Sequence, residues 1–221
     1  MRKVIATNVI GQQAHQQLAL SRPTFEEYAE RFGYDLVIGD RQAPGRTPHW
    51  GKIMLLQELV EEYDRVFWID SDAMILNFTA DIADNLEDDC FQALVMEQHF
   101  VRWNPNTGVW LLRGKDPVTT QFLKDVWEMG PQPGPWNEQS AVIRVMGWGI
   151  EPWPRGCKVI EPSEYLYKTS WLAPEWNRIP ELWPHINPRI NHWAGGPTEV
   201  ERRIREMGEI LQKLRDAGMQ R

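Results

Sequence analysis

Asp70, Ser71 and Asp72 are the residues whose types and spacing carry the clearest chemistry in this 221-residue chain. Two carboxylates one residue apart, placed where an apolar run meets a loop, can both reach one cation, and hard oxygen ligands select Mg2+, Mn2+ or Ca2+. A D-x-D triplet also arises by chance in many chains, so its meaning depends on what positions it. The run before it, Arg65-Val66-Phe67-Trp68-Ile69, is almost wholly apolar, which fits an interior parallel strand covered on both faces. In open α/β sheets, ligands gather beyond the carboxyl ends of such strands.

The surrounding pattern supplies the rest of such a sheet. Residues 4–8 form a short β-branched run that reads as a first strand, and residues 34–38 as a second. Between them, after Ser21-Arg22-Pro23, residues 24–31 carry helical content with Phe25, Tyr28, Ala29 and Phe32 on one face and Gly33 as C-cap. Pro48 opens a second helix with Ile53, Leu56, Leu59 and Val60 along its apolar side, ending near Tyr63. Strands alternating with helices predict an α/β fold with a mainly parallel central sheet.

Further strands are expected at residues 92–97 and 108–112 and a helix at 117–129. Residues 130–197 are dense in Pro, Gly and Trp with little periodicity, which favours long ordered loops over regular elements. A closing helix over 198–217 presents Val200, Ile204, Met207, Leu211 and Leu214 as one stripe, suited to packing on the body. No internal repeat or linker divides the chain, so one domain over 1–221 is expected.

Composition narrows the partners. Lys plus Arg is 24 against 31 Asp plus Glu, a net charge of −7, which argues against broad nucleic-acid or anionic-membrane binding. Two cysteines, Cys90 and Cys157, are too few for a disulfide framework and lack C-x-x-C spacing, so reduced, buried thiols are expected. The opening residues reach a polar run after one short apolar stretch, with neither a signal-peptide core nor a spanning segment, and a cytoplasmic setting is expected. Tryptophan is unusually frequent, with 12 copies against 5 Tyr and 7 Phe, and suits cores, interfaces and flat ligands.

Several blocks together resemble the GT-A fold glycosyltransferases that use nucleotide sugars. The run Trp50-Gly51-Lys52-Ile53, an apolar helix, and Tyr63 through Ala73 with the D-x-D is most similar to glycosyltransferase family 34, the fungal α-galactosyltransferase and plant xyloglucan xylosyltransferase group. The likeness to family 8 is more distant. Tyr28-Ala29 with Gly33-Tyr34-Asp35, then Asn106-Thr107-Gly108-Val109, then Glu138-Gln139-Ser140-Ala141, then His192-Trp193-Ala194-Gly195-Gly196 follow in the family's order, across roughly residues 3 to 197. The resemblance implies a Rossmann-like domain: residues 1–115 as the nucleotide-sugar half, 116–197 as the acceptor and donor-sugar half, and 198–221 as the closing helix.

The same resemblance assigns roles. Asp70 would touch the ribose or donor sugar and a metal, Asp72 would bind the metal, and His192 would complete the protein ligands. Two carboxylates with an imidazole suit Mn2+ better than an all-oxygen Mg2+ site, although Mg2+ is also accommodated. By residue type alone, a loop histidine bonded to a backbone carbonyl is the favoured reading of His192. Thr7, Asn8, Ser71 and Gly195 would contact the donor. Lys52 is a candidate cation for the diphosphate or, equally, a solvated helix lysine. Family 8 carries a lysine after its H-x-x-G where this chain has Thr198, so Arg189, Arg202 or Arg203 would have to take that part. Asn106, Gly108, Glu138 and Gln139 would line the sugar pocket, with Glu138 and Gln139 as catalytic candidates. Asn137 as N-cap with Glu138 in a first helical turn is a structural reading of the same residues.

The expected activity is therefore metal-dependent transfer of a hexosyl or pentosyl group from a nucleoside-diphosphate sugar, UDP-linked, to an acceptor hydroxyl on a glycan or glycoconjugate, with retention. Retention would proceed by a front-face route, with Glu138 in an electrostatic role. Two rivals stand beside it. One is a non-enzymatic carbohydrate-binding protein on the same scaffold, using the tryptophans. The other is a haloacid-dehalogenase-type phosphatase, whose first strand also ends in D-x-D, although here Ala73-Met74 follows the triplet and the strand lies far from the N-terminus.

Overall fold

A computed structural model describes residues 1–99, 102–133, 136–148, 161–195 and 199–219. The chain runs β1 (Lys3–Asn8), α1 (Gln12–Phe32), β2 (Tyr34–Gly39), α2 (Gly51–Glu62), β3 (Arg65–Ile69), β4 (Ala73–Ile75), β5 (Gln92–His99) and β6 (Arg102–Arg113). It continues with α3 (Pro117–Met129), α4 (Asn137–Met146), α5 (Glu164–Tyr167), β7 (Thr169–Leu172), β8 (Ile190–His192) and α6 (Val200–Asp216).

Six strands form one sheet in the order β2-β1-β3-β6-β5-β7. β1 runs parallel to β2 and β3, and β5 runs parallel to β7, while β6 is antiparallel to both β3 and β5. The mainly parallel sheet expected from the sequence is thus present, with β6 as the strand that runs against the others. Two residues separate β5 from β6, too few for a crossover, so the pair must be antiparallel.

β3 explains its own composition. Val66 and Trp68 enter a core under α2, α3 and α4 with Trp50, Ile53, Leu56, Trp110, Phe122 and Val142. Phe67 and Ile69 enter the opposite core under α1 with Ile5, Phe25, Tyr28, Val109 and Leu111. Alternate side chains point to opposite faces of a strand, so burial on both sides demands an unbroken apolar run. Trp68 and Trp110 are core residues, and Cys90 is a free, buried thiol. Cys157 and Trp153 lie outside the described residues. No helix among the described residues is long and apolar enough to cross a membrane.

Several elements depart from the sequence expectation: β4, which no pattern announced, α4, α5, β7 and β8 within the stretch expected to be loops, and the start of α1. α1 begins at Gln12, and Pro23 lies inside the helix instead of before it. A proline there forfeits one backbone hydrogen bond, at a cost of about 3 kcal/mol. The buried face of α1 offsets it, and that face is partly polar: Gln17, Ser21 and Thr24 are buried beside Leu18, Phe25 and Tyr28. The Ser21 hydroxyl donates to the Ser71 carbonyl at 3.0 Å, and Thr24 Oγ1 accepts the Ile75 N–H at 3.1 Å, so this face docks the D-x-D turn and β4. α4 is a regular helix within the stretch expected to be loops. It buries Ala141, Val142 and Met146 and ends at Gly147 in the left-handed region. Asn137 does not cap it; the residue is the helix's first, at φ 38°, and its Oδ1 accepts from the Thr47 hydroxyl at 3.1 Å.

Beside the main sheet, β4 and β8 form a two-stranded antiparallel sheet in which Ala73 pairs with His192. A satellite core of Met74, Trp193, Met207, Leu211 and Met219 packs α6 over this pair. The Trp193 indole N–H donates to Glu206 of α6 at 2.8 Å. Of the stripe expected on α6, Met207 and Leu211 are buried, and Arg203 joins them.

Candidate active site

Asp70 closes β3, where its backbone N–H donates to the Gly108 carbonyl at 2.8 Å. Its Oδ1 accepts the Trp68 indole N–H at 2.7 Å and lies 3.2 Å from the Lys52 ammonium. Oδ2, on the other side of the same carboxylate, lies 3.8 Å from His192 Nε2. Asp72 Oδ1 lies 3.4 Å from that nitrogen, and one ligand atom from each of Asp70, Asp72 and His192 falls within 4.8 Å of the others. The Asp70 and Asp72 side chains keep 29% and 20% of their surface exposed, against 4% for His192, so the cluster opens to solvent on its carboxylate side.

The second sheet brings these groups together. Ala73 opposite His192 places the imidazole beside the carboxylate one residue earlier, and the Trp193 N–H donates to the Asp72 carbonyl at 2.9 Å. A one-residue slip would turn His192 to the other face. Burial opposes the charged form of the imidazole, but the hydrogen bond and charge of Asp72, with the charges of Asp70 and Glu97, outweigh it and raise the His192 pKa above its ordinary value. Burial likewise opposes ionisation of Asp70, yet the charges of Lys52 and His192 and the Trp68 hydrogen bond hold its carboxyl below the usual range. This surplus of negative charge around one ring nitrogen suits a divalent cation, and the mixed oxygen and nitrogen set suits Mn2+ or a similar ion.

Gly108 makes room for the ring. A Cβ at this position would sit 2.1 Å from His192 Cε1, closer than any real contact. Gly108→Ala should therefore displace His192 and weaken Mn2+ binding, with a stability loss of about 1–3 kcal/mol from overpacking. Urea denaturation with a Mn2+ titration checks both effects, and unchanged Mn2+ affinity would refute this placement of the ring.

Lys52 is buried at the centre of a second group. Its ammonium lies 2.7 Å from Glu138 Oε1 and 3.2 Å from Asp70 Oδ1, and it donates to the Thr107 carbonyl at 3.1 Å. Burial works against its charge, but the Asp70 and Glu138 carboxylates outweigh that and raise its pKa. The solvated helix lysine is therefore ruled out. Glu138 and Gln139 occupy the first turn of α4, both buried. Gln139 Oε1 accepts the Thr107 N–H at 3.0 Å, while its buried Nε2 has no partner among the described residues.

Asn106 donates from Nδ2 to Glu97 at 2.7 Å, and its Oδ1 accepts from the Gly108 N–H and from Asn177, both at 2.8 Å. Asn177 in turn meets His192 Nδ1 at 2.9 Å. Thr7 is fully buried at the end of β1, and Asn8 clamps the Arg41 backbone, accepting from its N–H at 2.7 Å and donating to its carbonyl at 2.9 Å. Neither side chain bonds to the acidic cluster among the described residues. Gly195, at φ 140°, lies against Arg203, which donates to its carbonyl at 2.9 Å. Arg202 is taken up by Glu181, Glu199 and Glu206, and Arg189 stacks on Trp176.

The structure thus gathers Asp70, Asp72, His192, Lys52, Glu138, Gly108 and Asn106, while Thr7, Asn8 and Gly195 stand apart from that hydrogen-bonded group. Gly196, Pro197 and Thr198 lie outside the described residues. Sequence reasoning missed Thr107, Glu97 and Asn177, and it read Trp68 as core alone. An acidic residue inside an apolar strand was the available signal for Glu97. Of the late tryptophans, Trp176 is buried, while Trp171 is exposed and lies 5.5 Å from Trp148.

The sequence profile described as the galactosyl transferase GMA12/MNN10 family matches residues 6–129. No curated protein sequence gives a significant match. Similar solved structures include a glycosyltransferase involved in glycosylation of the major capsid of the virus PBCV-1, at 18% identity and TM-score 0.69, covering 95% of this chain and 100% of that one. GlyE from Streptococcus pneumoniae TIGR4 is similar at 14% identity and TM-score 0.61, covering 100% of this chain and 66% of that one. Mouse xyloside xylosyltransferase 1 is similar at 10% identity and TM-score 0.53, covering 90% and 99%. At such identities the likeness is one of fold.

Proposed function

Because the chain belongs to the galactosyl transferase GMA12/MNN10 family and carries the GT-A glycosyltransferase fold, we propose that it transfers a hexosyl or pentosyl group from a UDP-linked sugar to a glycan-type acceptor hydroxyl, using a divalent cation at Asp70, Asp72 and His192. The observation that carries this reading is the approach of those three side chains to within 4.8 Å of one another, on the open end of β3. Family membership sets aside the phosphatase and the purely carbohydrate-binding alternatives.

A cation held there, Mn2+ or Mg2+, supplies Lewis-acid neutralisation of the charge that grows on a departing diphosphate. The protein's own groups do the remaining work. Trp68 and Lys52 pin Asp70 through Oδ1, which leaves Oδ2 on the side of His192 and the ligand. Lys52 spans Asp70 and Glu138, so the Glu138 carboxylate is fixed in place and its charge can steady the positive character of the reacting sugar carbon. An oxygen engaged by an ammonium at 2.7 Å is a poor nucleophile, which favours an electrostatic role and a front-face, retaining transfer. Gln139 offers its unpartnered Nε2 hydrogens to a sugar hydroxyl. In this reading residues 1–115 hold nucleotide and cation, His192 from the 116–197 portion closes the ion site, and the remainder of that portion meets the acceptor.

A thermal-shift series with UDP-galactose, UDP-glucose and UDP-xylose, with and without Mn2+, tests the proposal. At a ligand concentration of 100 times Kd, stabilisation is about 2.7 kcal/mol, an upward shift of about 5–10 °C for a chain of this size. The shift should require Mn2+. No shift with any nucleotide sugar in the presence of Mn2+ would reject the donor assignment.

A further inference from the structure

Behind the candidate ion site runs a buried hydrogen-bond chain of four side chains: Glu97 on β5, Asn106 on β6, Asn177 at the end of a short 3-10 turn, and His192 on β8. They are 5%, 5%, 2% and 3% exposed. Its direction follows from its fixed ends. The Gly108 backbone N–H can only donate, so the Asn106 atom 2.8 Å from it must be the amide oxygen. Asn106 Nδ2 then faces the Glu97 carboxylate, an acceptor when ionised, at 2.7 Å.

The Asn177 atom 2.8 Å from Asn106 Oδ1 must therefore be its nitrogen, which turns Asn177 Oδ1 toward His192 Nδ1 at 2.9 Å. An oxygen facing that nitrogen requires a proton on it. Reversing the amides would set the Gly108 N–H against an NH2 group and the Glu97 carboxylate against a carbonyl oxygen, two repulsive contacts in a buried site. The tautomer is thus settled by a backbone donor and a carboxylate, independently of how each amide is assigned.

We propose that Glu97 and the Gly108 N–H orient Asn106 and Asn177 so that His192 keeps its proton on Nδ1 and offers Nε2, which faces Asp70 and Asp72, to a divalent cation. This rests on the ion-site reading above and adds to it that Asn106 and Asn177 act as positioning residues of that site. Partners that fix the far nitrogen of a ligating histidine commonly change metal affinity when removed.

Titration of Mn2+ alone into the full chain, followed by the free-ion electron paramagnetic resonance signal, tests the proposal. Asn177→Ala should weaken Mn2+ binding about 10–100-fold. Ring 15N shifts of His192 in the metal-free wild type, at alkaline pH where the ring is neutral, should show the proton on Nδ1. That measurement needs no variant, so a failure of Asn177→Ala to fold leaves the proposal testable. Predominant Nε2–H, or Asn177→Ala binding Mn2+ as tightly as a wild type that binds it, overturns the proposal alone. A wild type that binds no Mn2+ overturns the ion-site reading and the proposal together.

Discussion

Asp72→Ala should abolish Mn2+ binding and slow sugar transfer by about 10^2–10^4-fold. That range is the several kcal/mol of charge stabilisation a bound cation supplies to a leaving group, taken at 1.36 kcal/mol per decade of rate. The fold should survive, because the part of Asp72 that holds the chain together is its carbonyl, which accepts from the Trp193 N–H at 2.9 Å and is unaffected by the substitution. The side chain faces His192 at 3.4 Å and is partly exposed. Mn2+-dependent hydrolysis of a UDP-sugar, measured beside urea denaturation, separates the two effects. Turnover unchanged in the variant would defeat the assignment of Asp72 as a ligand.

Lys52→Met should have the larger effect on stability, a loss of about 3–5 kcal/mol, because it removes the shared counter-charge of Asp70 and Glu138 and leaves buried carboxylate charge uncompensated. Lys52 is 5% exposed and Glu138 4%, so neither charge is well solvated. Methionine fills much of the same volume, so the loss reports charge and not a cavity. Adding Glu138→Gln should restore part of it, since the two residues are in contact and their effects cannot be independent. Urea midpoints of the single and double variants measure this. A loss below about 1 kcal/mol, typical of solvent-screened pairs, would mean that Lys52 is not the linchpin of the cluster.

From residue pattern alone, the legible parts of this site are those whose neighbours in sequence are also neighbours in space, and Glu138 and His192 are reached through the family resemblance instead. The apolar run of β3 announces burial on both faces, and the D-x-D follows directly at its carboxyl end. α2 and α3 showed through because their buried faces are mostly apolar, with Ile53, Leu56, Leu59 and Val60 on the first and Phe122, Leu123 and Val126 on the second. The first half of α1 did not, because the face it buries includes Gln17, Ser21 and Thr24, and because Pro23 reads locally as a break that only docking against β4 and the D-x-D turn overrides. α4 lay within a stretch of Pro, Gly and Trp and opens on Asn137 at positive φ without a side-chain cap. Asn106 is noticeable from sequence as a pocket residue, but its internal bonds are not, since they reach Glu97 nine residues away and Asn177 71 residues away in sequence. No local pattern could reveal Asn177, whose importance arises only when the turn that carries it meets β6 and β8.

The pairing of β4 with β8 also fixes an order of events. Every strand of the large sheet is complete by Leu172, whereas His192, Trp193 and α6 come later. As the chain leaves the ribosome, the two carboxylates emerge early and wait for an imidazole supplied near the end of synthesis. Long-range contacts of this kind form late, since the chain entropy of closing the loop has to be overcome first. On the proposed ion-site reading, the full ligand set exists only once β4 has paired with β8, after the large sheet is complete in sequence.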